Sequence, residues 1–211
     1  MPRARELRLQ GPDCELLLTE YEAEPPDGEG SSGVLLCPPH PAFGGTRDDV
    51  RLRATAGRLR GVGITAWCLD YSGYHRGTRE VAEVVSALEQ LAPRVRRLGL
   101  MGYSYGAVVA SLAACRTSAP LAALALLAPP LAVDTMVTDS SAPCPKLFIC
   151  GLDDTIAPAE AVRQLFAKAE GDKECRSFAD GHFFEITAAE VAQAIASFFV
   201  RYTQPRRGTG A

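Results

Sequence analysis

Long apolar runs are missing from this 211-residue sequence. No stretch reaches the ~18 to 20 residues that a membrane-spanning helix needs, so no membrane partner is expected. An excess of one charge is missing too. The formal net charge is -3, which leaves no broad electrostatic footprint for nucleic acid. Arg94, Arg96 and Arg97 read as a solvated helix end. The three arginines between Met1 and Gln10 have no apolar run behind them, so no secretory signal is expected there. Histidine is scarce, with three in the chain, and no pair of the seven cysteines forms C-x-x-C. The common zinc patterns are therefore absent, and no metal or cofactor is expected. Cysteines such as Cys37 and Cys150 sit inside apolar runs. They read as small buried hydrophobes in a reducing compartment, the cytoplasm, and not as a disulfide framework. No repeat at periods of about 20 to 50 residues is visible.

What is present is ordinary for a globular chain: 47% hydrophobic and 22% charged residues. The length fits one domain, read as 1–203, followed by a tail, 204–211, expected to be disordered. Short apolar runs alternate with amphipathic segments. Strands are expected at Leu16 to Thr19, Val34 to Cys37, Ile64 to Leu69, Leu98 to Met101, Leu121 to Ala128, Lys146 to Cys150 and Glu174 to Phe178. Glu22 to Gly33 reads as an acidic hairpin or loop. A first helix is expected to start at Thr46, with Asp49 completing a capping box, and Gly61 to Gly63 to end it. Val81, Val84, Val85, Leu88 and Leu91 mark a second helix, and Tyr105 to Arg116 a third. Pro158 suits the first turn of a fourth. Thr187 and Glu190 form a capping box for the last. This alternation predicts an α/β fold, a doubly wound and mostly parallel sheet flanked by helices. In such a sheet, ligands bind beyond the carboxyl ends of the strands.

The most informative residues are Gly102-Tyr103-Ser104-Tyr105-Gly106, between a predicted strand and a predicted helix. That context turns G-x-S-x-G into a nucleophile elbow: a strained turn, too tight for side chains two residues either side, that lifts a serine hydroxyl clear of the sheet. A serine needs a base. His182, in Asp180-Gly181-His182-Phe183-Phe184, falls in the loop after the last strand, on the same edge of the sheet. The acid should come from Gly151 to Pro158, where Asp153 and Asp154 both qualify. An oxyanion needs two N–H donors. One is the backbone of Tyr105. The other should come from Pro38 to Gly45, where Pro41 has no N–H. That leaves Ala42 first and Phe43 second, with His40 shaping the loop. Tyr71, Tyr74, Tyr103 and Tyr105 are candidate pocket residues.

In these pieces the chain resembles the small capless α/β-hydrolases, the dienelactone-hydrolase-like and bacterial carboxylesterase-like members. The resemblance runs from about Val34 to Phe199. It is carried by His40-Pro41-Ala42-Phe43-Gly44-Gly45, Gly102 to Gly106, Gly151 to Pro158 and Gly181-His182-Phe183-Phe184, in that order. The family's acid loop reads G-x-x-D-x-x-x-P, which implies Asp154 as the acid. Two departures stand out. Asp70 to Gly77 sits where relatives carry an Arg-Gly turn with a different lead-in. Dienelactone hydrolases proper use cysteine where this elbow has Ser104. The resemblance thus implies hydrolysis of a small-molecule ester or thioester by Ser104, Asp154 and His182. The sequence leaves monomer and homodimer both open. Only Pro129 to Pro145 joins two central strands, so no lid domain is expected. A catalytically silent binding or scaffold protein and an acyltransferase using the same serine are the alternatives, and a peptidase is conceivable.

Overall fold

A computed structural model describes residues 4–24 and 31–204. The middle of the acidic loop, 25–30, and the tail from 205 onward lie outside the described residues.

Strand β1 (Ala4–Gln10) pairs antiparallel with β2 (Glu15–Tyr21). The sheet continues through β3 (Ser32–Cys37), β4 (Ile64–Leu69), β5 (Arg97–Tyr103), β6 (Leu121–Leu127), β9 (Lys146–Gly151) and β10 (Lys173–Phe178). Its order is β1-β2-β4-β3-β5-β6-β9-β10. From β4 to β10 every pairing is parallel, whereas β2 meets β4 antiparallel. The expected doubly wound, mostly parallel sheet is therefore the observed one.

Parallel strands are covered on both faces, so their side chains must be apolar in both directions. In β3, Val34 and Leu36 enter one core and Leu35 and Cys37 the other. In β9, Leu147 and Ile149 face the first core and Phe148 and Cys150 the second. Helices α1 (Val50–Gly61) and α5 (Ala188–Thr203) close the first core through residues such as Leu52, Leu59, Ile195 and Phe198. Helices α2 (Glu80–Leu91), α3 (Tyr105–Arg116) and α4 (Ala159–Lys168) close the second through Val84, Leu88, Val108 and Val162.

Several boundaries differ from the sequence reading. The first strand, β1, is unexpected. Its apolar residues Leu7 and Leu9 are interleaved with Arg5, Glu6, Arg8 and Gln10, as suits an edge strand protected by charge. Thr46 does not start a helix. Asp49 is itself the N-cap, its Oδ1 accepting from the N–H groups of Arg51 at 2.9 Å and Leu52 at 3.4 Å. Thr187 does cap α5 by position, but no capping box forms. Its hydroxyl donates to Asp180 Oδ2 at 3.0 Å instead. Gln204, placed in the expected tail, is anchored: its N–H donates to Val200 O and its side-chain Nε2 to Val62 O at 2.5 Å. The segment between β6 and β9 carries only a small hairpin, β7 (Ala132–Val133) with β8 (Met136–Val137), in place of a lid.

Candidate active site

Strand order reverses around β3, which pairs with β4 on one side and β5 on the other. Loops leaving the carboxyl ends of β3 and β5 therefore diverge, and a crevice opens between them. The loop after β3 forms a short 3₁₀ turn, Pro41–Phe43, and the loop after β5 is Ser104 itself. Parallel pairing brings the ends of β9 and β10 to the same edge, with Asp154 after the first and His182 after the second.

Ser104 adopts φ 54° and ψ -118°, a left-handed conformation that a residue with a side chain avoids. The turn is held by close backbone packing. A Cβ on Gly102 would stand 2.0 Å from the Gly106 carbonyl oxygen. A Cβ on Gly106 would stand 2.3 Å from the Pro38 oxygen and 2.4 Å from that of Cys37. The first glycine thus lets the elbow close on itself, and the second lets it press against the loop after β3. Ser104 N–H donates to Leu127 O at 2.8 Å, tying the elbow to β6.

The hydroxyl so presented meets the imidazole. Ser104 Oγ lies 2.9 Å from His182 Nε2, and His182 Nδ1 lies 2.7 Å from Asp154 Oδ2. Asp154 and His182 are both buried. Asp154 Oδ1 accepts from the N–H groups of Ile156 and Ala157, each at 2.8 Å. Burial works against its charge, but His182 and these two donors outweigh it and hold the carboxyl below the usual carboxylate range. Asp153 has no comparable place; its N–H donates to Asp180 O. The His182 loop has its own staple. Asp180 accepts from Gly181 N at 2.8 Å, Ile186 N at 2.9 Å, and Thr187 N at 2.8 Å and its hydroxyl. Burial opposes this carboxylate's charge as well, and the donors of Thr187, Ile186 and Gly181 prevail to lower its pKa. Tyr103 adds a hydroxyl donated to the His182 carbonyl at 3.0 Å.

The loop after β3 brings Ala42 near but engages its N–H, which donates to His40 Nδ1 at 3.2 Å. Phe43 N–H is bound within the turn, to His40 O at 3.0 Å. His40 is wedged among Phe43, Tyr74 and Tyr105, with ring centroids 4.6 to 4.7 Å away. A cleft of about 620 Å³ opens over Ser104 and His182, lined by His40, Phe43, Tyr103, Tyr105, Val133, Ile156 and Phe183 and by the charged pair Asp49 and Arg51. Of the four tyrosines singled out by sequence, Tyr103 and Tyr105 line this cleft. Tyr74 stands behind His40, and Tyr71 donates to Pro38 O at 3.4 Å. Asp49 and Arg51 carried no sequence signal as site residues, and the sequence reading gave Asp180 and Phe183 no role of their own. Only the neighbourhood of His182 pointed toward Asp180 and Phe183. Among the described residues no group of three or more His, Cys, Asp or Glu side chains is placed to hold a metal ion.

Sheet order, elbow and the short β6–β9 connection together define the α/β-hydrolase fold in its lid-less form. Solved structures agree. The chain superposes on an α/β serine hydrolase homologue from Coxiella burnetii with a TM-score of 0.81 at 23% identity, covering 94% of this chain and 98% of that one. A serine hydrolase without a lid from Xanthomonas campestris gives 0.81 at 21% identity, over 97% and 98%. A dienelactone hydrolase from Anabaena variabilis gives 0.77 at 19% identity, over 96% and 99%. No family model matches the sequence, and no curated protein matches it. At these identities the likeness is one of fold.

Proposed function

We propose that this protein is a serine hydrolase that cleaves small carboxylic esters or thioesters through an acyl-enzyme. The observation that carries the reading is the unbroken chain from Ser104 Oγ through the His182 imidazole to a buried, ionised Asp154, set on a strained elbow at the mouth of an open cleft. A purely structural role needs no such chain.

In this mechanism Ser104 Oγ attacks the ester carbonyl as His182 Nε2 takes its proton. Asp154 keeps the imidazole in the tautomer with hydrogen on Nδ1 and stabilises the imidazolium that forms. The tetrahedral oxyanion takes the Tyr105 N–H, at the positive end of α3, and the Ala42 N–H. Ala42 suits the second place better than Phe43, whose N–H closes the turn. The Ala42 bond to His40 Nδ1 is long at 3.2 Å, and an oxyanion is the stronger acceptor. His182 then protonates the departing alcohol or thiol, and water repeats the sequence to release the acid. Nothing in this scheme calls for a cofactor. The cleft's size and mostly apolar walls suit a small organic ester.

All seven cysteines are free, which supports work in a reducing compartment such as the cytoplasm. No helix among the described residues is long and apolar enough to cross a membrane.

Labelling with a fluorophosphonate, followed by mass spectrometry, tests the proposal. The adduct is expected on Ser104 and is expected to vanish in Ser104→Ala. Failure of well-folded protein to react would favour the catalytically silent binding protein. Transfer of the acyl group to an added alcohol in preference to water would favour an acyltransferase.

A further inference from the structure

Apart from His182, the walls of the Ser104 cleft carry two charged side chains, Asp49 and Arg51, at the start of α1. They form an ion pair between Asp49 Oδ2 and Arg51 Nη2. Capping accounts for Asp49, whose Oδ1 serves the first N–H groups of the helix. It does not account for Arg51, because the cap uses only that residue's backbone.

The Arg51 guanidinium lies 4.9 Å from the Tyr103 ring centroid and 5.9 Å from that of Phe183. The same rings flank the imidazole of His182, 5.6 Å away in each case. The two aromatic rings that pack against the catalytic imidazole therefore also hold a flat cation. A guanidinium has five N–H donors. Among the described residues only the Nη2 group has an acceptor; Nε is buried, which leaves Nη1 as the donor open to a ligand. A fixed cation with donors to spare, on the wall of a mostly apolar cleft, is arranged to receive an acceptor from a ligand.

We propose that Arg51 anchors a carboxylate on the substrate, so that the favoured ester carries an anionic group a short chain away from its scissile carbonyl. This rests on the hydrolase reading and narrows it. A planar carboxylate matches the guanidinium fork. Asp49 beside it disfavours a phosphate dianion, which it would repel more strongly than a single charge.

The test compares anionic and neutral esters of equal length. On the acyl side the pair is p-nitrophenyl hemiglutarate and p-nitrophenyl valerate; on the alcohol side it is 4-acetoxybutanoate and butyl acetate. One anionic ester is expected to exceed its neutral partner in kcat/KM by about tenfold or more, the size of one well-placed charged contact. Arg51→Gln should erase that ratio and Arg51→Lys restore part of it. Arg51→Gln leaves Asp49 without its ion-pair partner, so Asp49→Asn combined with Arg51→Gln serves as the second variant. A ratio near one in the wild type, or one that survives loss of Arg51, overturns the inference. Binding without turnover separates this inference from the hydrolase reading. Glutarate titrated into Ser104→Ala protein should bind, and Arg51→Gln on that background should weaken it about tenfold. Equal binding by both, or none, defeats the Arg51 assignment whether or not any ester is cleaved. Binding that depends on Arg51 in a protein that cleaves no ester would defeat the hydrolase reading alone.

Discussion

Ser104, His182 and Asp154 are separated in sequence by 78 and 28 positions yet share two hydrogen bonds of 2.9 and 2.7 Å. If Asp154 acts by holding the imidazole tautomer, Asp154→Asn should fold normally and lower kcat by about 10⁴-fold. Activity within tenfold of wild type would remove Asp154 from the mechanism. Its carboxyl is held below the usual range, so it stays ionised well under neutral pH. Ser104 and His182 were legible in the sequence because glycine spacing and chain order speak for them. Arg51 was not, because nothing local distinguishes a helix-start arginine in a cleft from one in solvent.

At the scale of the element, the segment from Asp180 to Thr187 is sensitive to acid. One carboxylate gathers four donors across it and so fixes the loop carrying His182. The folded-state pKa of Asp180 is lowered. Its contribution to stability is thus complete above the unfolded value, near 3.9, and is lost as pH falls through the folded value. Asp180→Asn should destabilise the protein at pH 7 by about 1 to 3 kcal/mol. It should also flatten the fall in Tm between pH 5 and pH 3. A variant whose Tm falls as steeply as wild type would show that Asp180 does not govern this loop. Thr187 illustrates why capping is read poorly from sequence. The pattern Thr187 and Glu190 meets the rule for a capping box, but a stronger acceptor arrives from the preceding loop and takes the hydroxyl. Asp49 took the cap of α1 from Thr46 for a similar local reason: its carboxylate reaches two free N–H groups.

At the scale of the whole molecule, the decisive feature is the short crossing from β6 to β9. With only a two-strand hairpin there, the cleft over Ser104 stays open, and Phe43, Ile156 and Phe183 stand largely exposed around it. Short-chain p-nitrophenyl esters should therefore give higher kcat/KM than long-chain ones. Activity should also show no jump as a long-chain substrate passes its critical micelle concentration, since there is no lid to open. Either a reversed chain-length preference or a sharp interfacial jump would contradict an open site.

The sequence by itself determined the alternation of strands and helices, the elbow at Ser104, the chain order of Ser104, Asp154 and His182, and the absence of a lid. These depend on local periodicity, on backbone sterics and on segment length, all of which are written within a few neighbouring residues. Tertiary structure decided the rest. It chose which edge strand β1 joins, gave Thr187 to Asp180, tied the Ala42 N–H to His40, and set Arg51 between Tyr103 and Phe183. The partners of Ala42, Thr187 and β1 are close in sequence, but each contact is one of several that local rules allow, and the packing of the loops and strands around it selects one. Arg51 meets rings 52 and 132 positions away, which only the folded sheet brings together.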